Sequence, residues 1–132
     1  MFVIVAGCGR MGRHIAETLF ESGIDVMAVD QSSDALDEFS ESFMGFSYQG
    51  DASEAETLKS AGVHRADAFI ACTASDEVNL LAAEIAREVY HVPLVIVRAV
   101  DPLKMKFFEQ IGLQTVCPVL LGADAVLDAL DT

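Results

Sequence analysis

Residues 2–30 of this chain, FVIVAGCGRMGRHIAETLFESGIDVMAVD, carry the patterns that decide the fold. The apolar, β-branched run at 2–6 leads directly into glycines at positions 7, 9 and 12, and a helical pattern follows. A second apolar run, residues 24–29, ends on Asp30. This order of strand, glycine turn, helix, strand and acid is typical of a βαβ unit that binds a dinucleotide.

Each glycine of this turn has a mechanical role in such a unit. Gly7 permits a tight turn, Gly9 lets backbone N–H groups approach a pyrophosphate, and Gly12 lets the helix pack closely on the sheet. The first helical turn, which contains Arg10, offers unpaired N–H donors and the positive end of the helix dipole. Asp30 follows the glycines by about 20 residues, the spacing at which a carboxylate meets the ribose hydroxyls.

The composition of the 132 residues limits the class of protein. A hydrophobic content of 52% suits a single compact domain, and no apolar run reaches the roughly 20 residues that span a bilayer. The net charge of −13 argues against binding nucleic acid or anionic lipid, both of which need a basic surface. The N-terminal apolar run lacks a basic region before it, so it predicts a strand and not a signal peptide. Three cysteines without CxxC spacing favour reduced thiols, and we expect a cytoplasmic protein.

Apolar runs alternate with amphipathic stretches along the chain, which predicts a parallel sheet covered on both faces. Six strands are predicted, at residues 2–6, 24–29, 45–48, 67–72, 94–98 and 114–117. With the helices between them they make an α/β, Rossmann-like, doubly wound sheet of order 3-2-1-4-5-6. We expect residues 1–132 to be one domain that ends in a crossover helix at about 118–131, without a second lobe.

Several of the helices carry their own start and stop signals. The first is expected to run from about Arg10 to Ser22 and to stop at Gly23. Ser75 is the expected N-cap of a helix whose apolar positions are Val78, Leu81, Ala82, Ile85 and Val89. Asp101 and Pro102 open a helix whose apolar face is Leu103, Phe107 and Ile111. The last helix begins at Pro118 with a broad apolar stripe of Leu120, Ala123, Val126, Leu127 and Leu130.

Residues suited to catalysis are sparse. The three histidines lack metal-ligand spacing, and no Ser-His-Asp set can be assembled from the predicted elements. A helix N-terminus could activate the Cys8 thiol, although a small residue that fills the turn is the favoured interpretation. We therefore expect no catalytic residue and no metal ligand.

Three polar residues at predicted strand ends are better candidates for binding. Asp51 follows the third strand and either accepts from the exocyclic amine of an adenine or caps the next helix. Thr73 follows the fourth strand, at the crevice where ligands bind in open α/β sheets. Arg98 ends the fifth strand within an apolar stretch, so it needs an anionic partner, either a carboxylate of the protein or a ligand phosphate.

Five segments, spread over essentially the whole chain, form a recognisable set. They are GCGRMG at 7–12, VD at 29–30, GDAS at 50–53, ADAFIACTASDEVNL at 66–80 and VIVRAV at 95–100. Together they resemble the N-terminal, TrkA-N type domain of the RCK/KTN family, the cytosolic nucleotide-binding regulators of potassium channels and transporters. The strand that ends in Thr and continues as SDExNL is the most specific segment, because dehydrogenases do not share it.

The resemblance implies a domain that binds NAD(H) or ATP/ADP without turning it over. The cofactor-binding residues it implies are Gly7, Gly9, Arg10, Met11, Gly12, Asp30, Gln31, Asp51, Ala52, Thr73 and Arg98. The glycines would hold the phosphates, with Arg10 reaching a terminal or nicotinamide-side phosphate. Asp30 would hold the ribose and Asp51 the adenine. Thr73 and Arg98 would line the phosphate side of the pocket.

The same resemblance implies a homodimer or a larger ring that docks on a membrane-embedded potassium transporter or channel. The protein would then be cytoplasmic and peripheral to the inner face of the membrane, with its crossover helix packed against a partner subunit. Ligand binding would control the transporter by changing the conformation of the dimer. Many members carry Pro-Glu at the start of the crossover helix, where the acid joins a divalent-ion site. This chain has Pro118-Val119, so no metal site is carried over.

Two alternatives stay open from the sequence. One is a minimal or fragmentary NAD-dependent oxidoreductase, in which Asp30 would select NAD over NADP. The other is the nucleotide domain of a potassium–proton antiporter. The residues do not distinguish NAD(H) from ATP, ADP or AMP, because each carries an adenosine ribose and at least one phosphate.

Overall fold

A computed structural model describes residues 1–41 and 43–131, so Thr132, the last residue of the expected domain, lies outside the described residues. The strands are β1 (Phe2–Ala6), β2 (Asp25–Asp30), β3 (Phe46–Gln49), β4 (Ala68–Ala71), β5 (Leu94–Arg98) and β6 (Gln114–Val116). All are parallel, in one sheet of order β3-β2-β1-β4-β5-β6. Each strand begins and ends within one residue of its predicted position, and the predicted strand order is confirmed.

The helices alternate with the strands. They are α1 (Arg10–Glu21), α2 (Ser33–Ser40), α3 (Ala55–Ser60), α4 (Asp76–Glu84), α5 (Pro102–Gln110) and α6 (Pro118–Leu130). Of these, α1, α4, α5 and α6 begin where the sequence signals place them. A 3-10 turn, Val63–Arg65, precedes β4, and a π-helical turn, Ile85–Val89, continues α4. The Ser75 hydroxyl caps α4 and the Asp101 carboxylate caps α5, as predicted. Gly23 follows the end of α1 with φ of 84°, a backbone conformation that favours glycine.

The register of β1 determines which loops meet at the edge of the sheet. Ala6, the last residue of β1, pairs with Val29 of β2 on one side and with Ala71 of β4 on the other. Parallel strands all end at the same edge, so the glycine turn lies between the ends of β2 and β4. The strand order reverses at this point, and open α/β sheets bind their ligands there.

Two apolar layers, one on each face of the sheet, form the core. One layer packs Leu58 of α3, Ala82 of α4 and Phe108 of α5 against the strands. The other packs Ala16 of α1 and Phe39 of α2 against the opposite face. The expected coverage of both faces is therefore confirmed.

Helix α5 turns a different face to the core from the one that its apolar pattern indicated, and α4 follows its predicted face in part. Of the predicted apolar positions of α4 and its continuation, Val78, Ala82 and Ile85 contact the core, whereas Leu81 and Val89 are exposed. Helix α4 also buries Asn79 and Ala83. In α5 the stripe Leu103, Phe107 and Ile111 lies at the surface, with Leu103 83% exposed, and the buried residue is Phe108. Alanines let α4 approach the strands closely, so the small side chains face inwards although larger apolar ones were available.

Helix α6 buries none of its residues. Its exposed large apolar side chains are Val119, Leu120, Leu121, Val126, Leu127 and Leu130. Within residues 1–41 and 43–131, no helix combines the length and the apolar character needed to cross a bilayer.

Candidate functional site

The glycine turn between β1 and α1 is shaped by close backbone contacts. Gly7 has φ of 112°, and a Cβ atom there would lie 2.6 Å from the backbone carbonyl of Cys72. A Cβ atom on Gly12 would collide with the carbonyl oxygen of Gly7, so α1 packs directly against the turn. Gly9 differs, because a Cβ atom on it would meet nothing within 4 Å. Two glycines are therefore required by the packing, whereas the third leaves space that a bound group could fill.

Asp30, at the end of β2, fixes this turn through its carboxylate. Oδ2 accepts a hydrogen bond from the backbone N–H of Cys8 at 2.8 Å, and Oδ1 accepts one from the N–H of Ser32 at 2.8 Å. The carboxylate is half-buried and faces the cleft described next. Asp30 thus joins the loops that follow β1 and β2, a structural role that the sequence reasoning did not anticipate.

An open cleft of about 430 Å³ lies over the ends of the central strands. Eight of the residues proposed for binding line it, namely Gly7, Gly9, Asp30, Gln31, Asp51, Ala52, Thr73 and Arg98. The sequence reasoning missed the other eight as binding residues, namely Cys8, Val29, Ala35, Gly50, Cys72, Ala74, Ser75 and Val78. Most of these are small or apolar, and no sequence signal separates them from ordinary core or turn residues.

Arg10, Met11 and Gly12 do not line the cleft and instead form the first turn of α1. The Arg10 side chain is exposed and lies with those of Arg13 and His14 in a separate shallow groove. The backbone N–H groups at the start of α1 have no intrahelical acceptor, and no side chain caps them. A ligand in the cleft would therefore meet this turn through its backbone.

Asp51 holds the loop after β3. The N–H and the hydroxyl of Ser53 both donate to Asp51 Oδ1, at 2.9 and 2.7 Å, and these bonds lower the pKa of the carboxyl. Helix α3 begins later, at Ala55, and its N-cap is Glu54. The alternative that Asp51 is the helix cap is therefore wrong, and Asp51 presents an ionised carboxylate to the cleft.

Asn79 binds the loops after β4 and β5 to each other. This wholly buried amide accepts from the N–H and the hydroxyl of Thr73, at 2.8 and 2.7 Å. It donates to the carbonyl oxygens of Thr73 and Arg98, both at 3.0 Å. The sequence reasoning missed Asn79 as a site residue. The available signal was a polar residue between the apolar positions of α4 that needs partners when buried.

Asp76 adds a second connection between the same loops. Its carboxylate accepts from the backbone N–H groups of Val100 and Asp101, at 2.6 and 3.0 Å. Asp76 therefore fixes the loop after β5 to the start of α4. The SDExNL segment is thus the structural link between the ends of β4 and β5.

Arg98 places a cation at the β5 end of the cleft. Its guanidinium forms no ion pair with a carboxylate in the part of the chain that the structure describes, and its buried Nε has no hydrogen-bond partner there. Burial raises the pKa of the neighbouring Cys72 thiol, and the Arg98 guanidinium offsets part of that rise. The sequence left two possible partners for Arg98, a carboxylate of the protein or a ligand phosphate. No carboxylate among the described residues is within ion-pair distance of Arg98.

The thiols in the cleft are not activated. Burial, together with the nearby Asp30 carboxylate, raises the pKa of Cys8 to about 12. Cys8 is therefore a protonated, buried small residue at neutral pH, and the possibility that the helix N-terminus activates it is wrong. No group of three or more His, Cys, Asp or Glu side chains suited to a metal ion occurs within residues 1–41 and 43–131.

Curated relatives match nearly the whole chain. It is 33% identical over 130 residues to the Trk system potassium uptake protein TrkA of Streptomyces coelicolor, with 98% of this chain and 58% of that protein covered. It is 35% identical over 111 residues to a TrkA homolog of Pyrococcus abyssi, with 84% of this chain and 49% of that protein covered. The chain thus spans about half the length of the curated relatives it matches.

Solved structures share the fold. The Kef CTD of Shewanella denitrificans in its AMP-bound form has a TM-score of 0.85 and 22% identity, with 99% of this chain and 80% of that chain covered. The NAD(P)-binding domain of an exopolyphosphatase-related protein from Archaeoglobus fulgidus has a TM-score of 0.81 and 25% identity, with 98% and 96% covered. The sequence profile of the TrkA-N domain matches residues 3–118. The chain therefore belongs to the TrkA-N domain family.

Proposed function

We propose that this chain is a single regulatory domain that binds an adenine nucleotide, NAD(H) or ATP/ADP, and controls a potassium-uptake system without turning the nucleotide over. Membership of the TrkA-N family and the similarity to TrkA proteins support the proposed role in potassium uptake. The similarity to the AMP-bound Kef CTD and to an NAD(P)-binding domain supports the class of ligand.

The distribution of charge along the cleft supports an adenine nucleotide. The carboxylates of Asp30 and Asp51 lie at the β2–β3 end, where they can accept from ribose hydroxyls and from an adenine amine. The uncapped N-terminus of α1 lies over the centre, and its N–H groups suit a phosphate or pyrophosphate. We propose that Gly7 and Gly9 contact this phosphate group, with Arg10, Met11 and Gly12 contributing their backbone N–H groups. Gln31 and Ala52 complete the adenosine end.

The observation that carries this proposal is that the Arg98 guanidinium forms no ion pair with any carboxylate among the described residues. A partly buried cation with an unbonded Nε is unfavourable unless an anion neutralises it. Net charge elsewhere in the chain is strongly negative, yet no described carboxylate is paired with Arg98. A ligand phosphate in the cleft would supply the missing partner.

A calorimetric titration with NAD, NADH, ATP, ADP and AMP tests the proposal. We expect saturable binding of at least one of them, and no turnover on incubation. The Arg98→Met variant should bind at least tenfold more weakly because it loses a hydrogen-bonded charge pair. Arg65→Met is the matched control, since Arg65 is exposed and lies over the Phe2 ring at the opposite end of the sheet. Absence of binding to the unaltered protein would overturn the proposed function.

We propose further that the protein is a homodimer held by α6. An isolated helix of 13 residues that buries nothing is marginally stable in water, so α6 needs a surface to pack against. The sheet offers one, because Leu94, Ile96 and Val116 of β5 and β6 are exposed or half-buried. Ile96 is in register with Ile70, which packs with the α1–α2 layer, so these residues lie beyond α1 on that face. Reciprocal packing of α6 on this strip in a second copy would satisfy both surfaces.

The regulatory step would be a shift between two arrangements of the dimer. The nucleotide has to bind one arrangement better than the other, since equal affinity for both would change nothing. A membrane-embedded potassium transporter or channel would sense the arrangement, which places the protein at the cytoplasmic face of the membrane. Measuring potassium uptake in cells that carry the Arg98→Met variant tests this step, and unchanged control of uptake would contradict it.

A further inference from the structure

Strand β3 is an edge of the sheet whose outer backbone groups have no neighbouring strand among the described residues. The N–H of Gly50, just after β3, donates to the carbonyl oxygen of Asp30 at 2.9 Å. Because the backbone groups of a strand point alternately to its two sides, Ser47 and Gln49 direct their N–H and C=O groups away from β2. All four residues of β3 are exposed, so these groups are open to a further strand.

The composition of β3 does not protect this edge. Residues 43–50, FMGFSYQG, contain no charged residue and no proline, although the chain as a whole has a net charge of −13. Edge strands usually carry lysine or proline, which discourage pairing with another chain. Here the edge carries Phe46, 64% exposed, and Tyr48, 37% exposed. Their partners in β2, Met27 and Val29, both pack in the α3–α5 layer, so the two aromatic rings lie on the same side of the strand.

An aromatic stack holds the chain that enters β3. Phe43 is buried, and its ring stacks on Phe39 at a centroid distance of 4.4 Å. The Phe20 ring meets Phe43 edge-on at 5.6 Å. Gly45 lies against the Phe43 ring, because a Cβ atom at this glycine would collide with it. The start of β3 is therefore fixed by packing, which lowers the entropy that a further strand would lose on binding there.

The sequence of β3 is self-complementary about Ser47. A two-fold axis at this residue would pair the β3 strands of two copies antiparallel, with each Phe46 opposite the Tyr48 of the other copy. The two Ser47 residues would exchange two backbone hydrogen bonds, since both point outwards. Phe46 and Tyr48 would form two aromatic cross-strand pairs, a type of pair that stabilises antiparallel sheets. The acid that follows each strand, Asp51, would lie at opposite ends of the contact, so these like charges stay apart.

We propose that β3 is a docking edge for the β3 strand of a second copy, so that two six-stranded sheets join edge to edge. Helix α6 follows β6 at the opposite edge, so this contact is separate from the proposed α6 dimer and would join such dimers to each other. The proposal goes beyond the proposed function and does not depend on nucleotide binding. A strand of four residues buries little area, so this association is weak and depends on concentration.

Ser47→Lys tests the contact, because it places two like charges directly opposite each other at the two-fold axis. Sedimentation over a range of protein concentrations measures the association, and we expect Ser47→Lys to weaken it at least tenfold. Ser60→Lys is the matched control, since it makes the same substitution at an exposed position of α3 and changes the net charge equally. Thermal unfolding checks that both variants are folded. Equal association of the two variants would overturn the proposal.

Hydrogen exchange of the unaltered protein gives a measurement that needs no variant. The Ser47 N–H should exchange quickly in dilute protein and at least tenfold more slowly at concentrations where the copies associate. The Tyr48 N–H points to β2 and should change less than twofold. Exchange at Ser47 that stays fast at every concentration would overturn the proposal and leave the α6 dimer intact. Exchange that is slow at every concentration would also overturn it, because the chain itself would then cover the edge.

A cross-link tests the position of the axis. Residues at such a hydrogen-bonded antiparallel pair have Cα atoms about 5.5 Å apart, a separation that a disulfide can span. Under mild oxidation Ser47→Cys should therefore form a covalent dimer at least tenfold faster than Ser60→Cys. The cysteines at 8, 72 and 117 are buried and do not compete. Equal cross-linking rates for the two variants would show that Ser47 does not face Ser47 of a second copy.

Discussion

The carboxylate of Asp30 accepts a 2.8 Å hydrogen bond from the backbone N–H of Cys8, so the acid at the end of β2 holds the glycine turn that follows β1. The same carboxylate accepts from the N–H of Ser32 through its other oxygen. Asp30, which we propose binds a ribose, therefore also maintains the shape of the cleft. A substitution at this position should affect both stability and binding.

We expect Asp30→Asn to lower the free energy of unfolding by about 2 kcal/mol, because the amide offers one acceptor oxygen where the carboxylate offers two. Nucleotide affinity should fall about tenfold. Urea unfolding and calorimetry measure the two effects. Asp25→Asn is the control, since Asp25 is an exposed acid at the far end of the same strand. Equal stability of Asp30→Asn and the control would show that the turn does not depend on the carboxylate.

The glycines should respond very differently to replacement by alanine. Gly12→Ala should cost at least about 2 kcal/mol of stability, because its Cβ would collide with the carbonyl of Gly7. Gly9→Ala should leave stability within about 0.5 kcal/mol but weaken nucleotide binding about tenfold, as its Cβ projects into open space by the cleft. Gly122→Ala in α6 meets no atom within 4 Å and should stabilise the helix by about 0.5–1 kcal/mol. Normal nucleotide affinity in Gly9→Ala would place the ligand elsewhere.

The sheet could be predicted from the sequence because its signals are local. Short β-branched runs, glycine turns and helix caps each occupy a few neighbouring residues, and they determined the six strands and their order. Most of the cleft followed from the fold, since residues after parallel strands meet at one edge. Arg10 was the exception among charged residues, because helical geometry directs its side chain away from the cleft while its backbone remains close.

The helix faces and the hydrogen-bond network could not be predicted in the same way. In α5, apolar residues occupy more than one face, and the pattern alone did not distinguish Leu103, which is exposed, from Phe108, which is buried. The π-helical turn after α4 was not predicted, because the sequence pattern there indicated only a continuous helix. The contacts of Asn79 join residues up to 19 positions apart, so they depend on the assembled fold.

Replacing Asn79 tests the network that it forms. Asn79→Leu keeps the volume but leaves the N–H of Thr73 and two carbonyl oxygens without their partner, so we expect a loss of at least about 3 kcal/mol. The control is Glu77→Gln, at an exposed position of α4 close to Asn79 in the sequence, which should change stability by less than about 0.5 kcal/mol. Chemical denaturation measures both. A small effect in Asn79→Leu would mean that water replaces the amide.

Because the pKa of the Cys8 thiol is raised in the folded protein, we expect the free energy of unfolding to decrease at alkaline pH. The folded chain keeps the thiol proton to about pH 12, whereas the ordinary thiol pKa is 9.0, so the unfolded chain loses it first. Above pH 9 the unfolded state binds fewer protons, and the free energy of unfolding therefore decreases as the pH rises. Between pH 8 and pH 10 the unaltered protein should lose about 1.4 kcal/mol more than Cys8→Ala, which has no thiol at this position. Parallel losses in the two proteins would show that Cys8 titrates normally.

Helix α6 offers a test in which association is separated from folding. Leu127 is 61% exposed and α6 buries no residue, so Leu127→Asp should leave the unfolding of the single chain unchanged. A charge at the centre of an apolar interface is unfavourable, so the proposed dimer predicts that the unaltered protein is dimeric in solution and that this variant is a monomer. Mass measurement by light scattering distinguishes the two, and Leu81→Asp on α4, 52% exposed, is the control. If Leu127→Asp stays dimeric while Leu81→Asp dissociates, α4 and not α6 forms the interface.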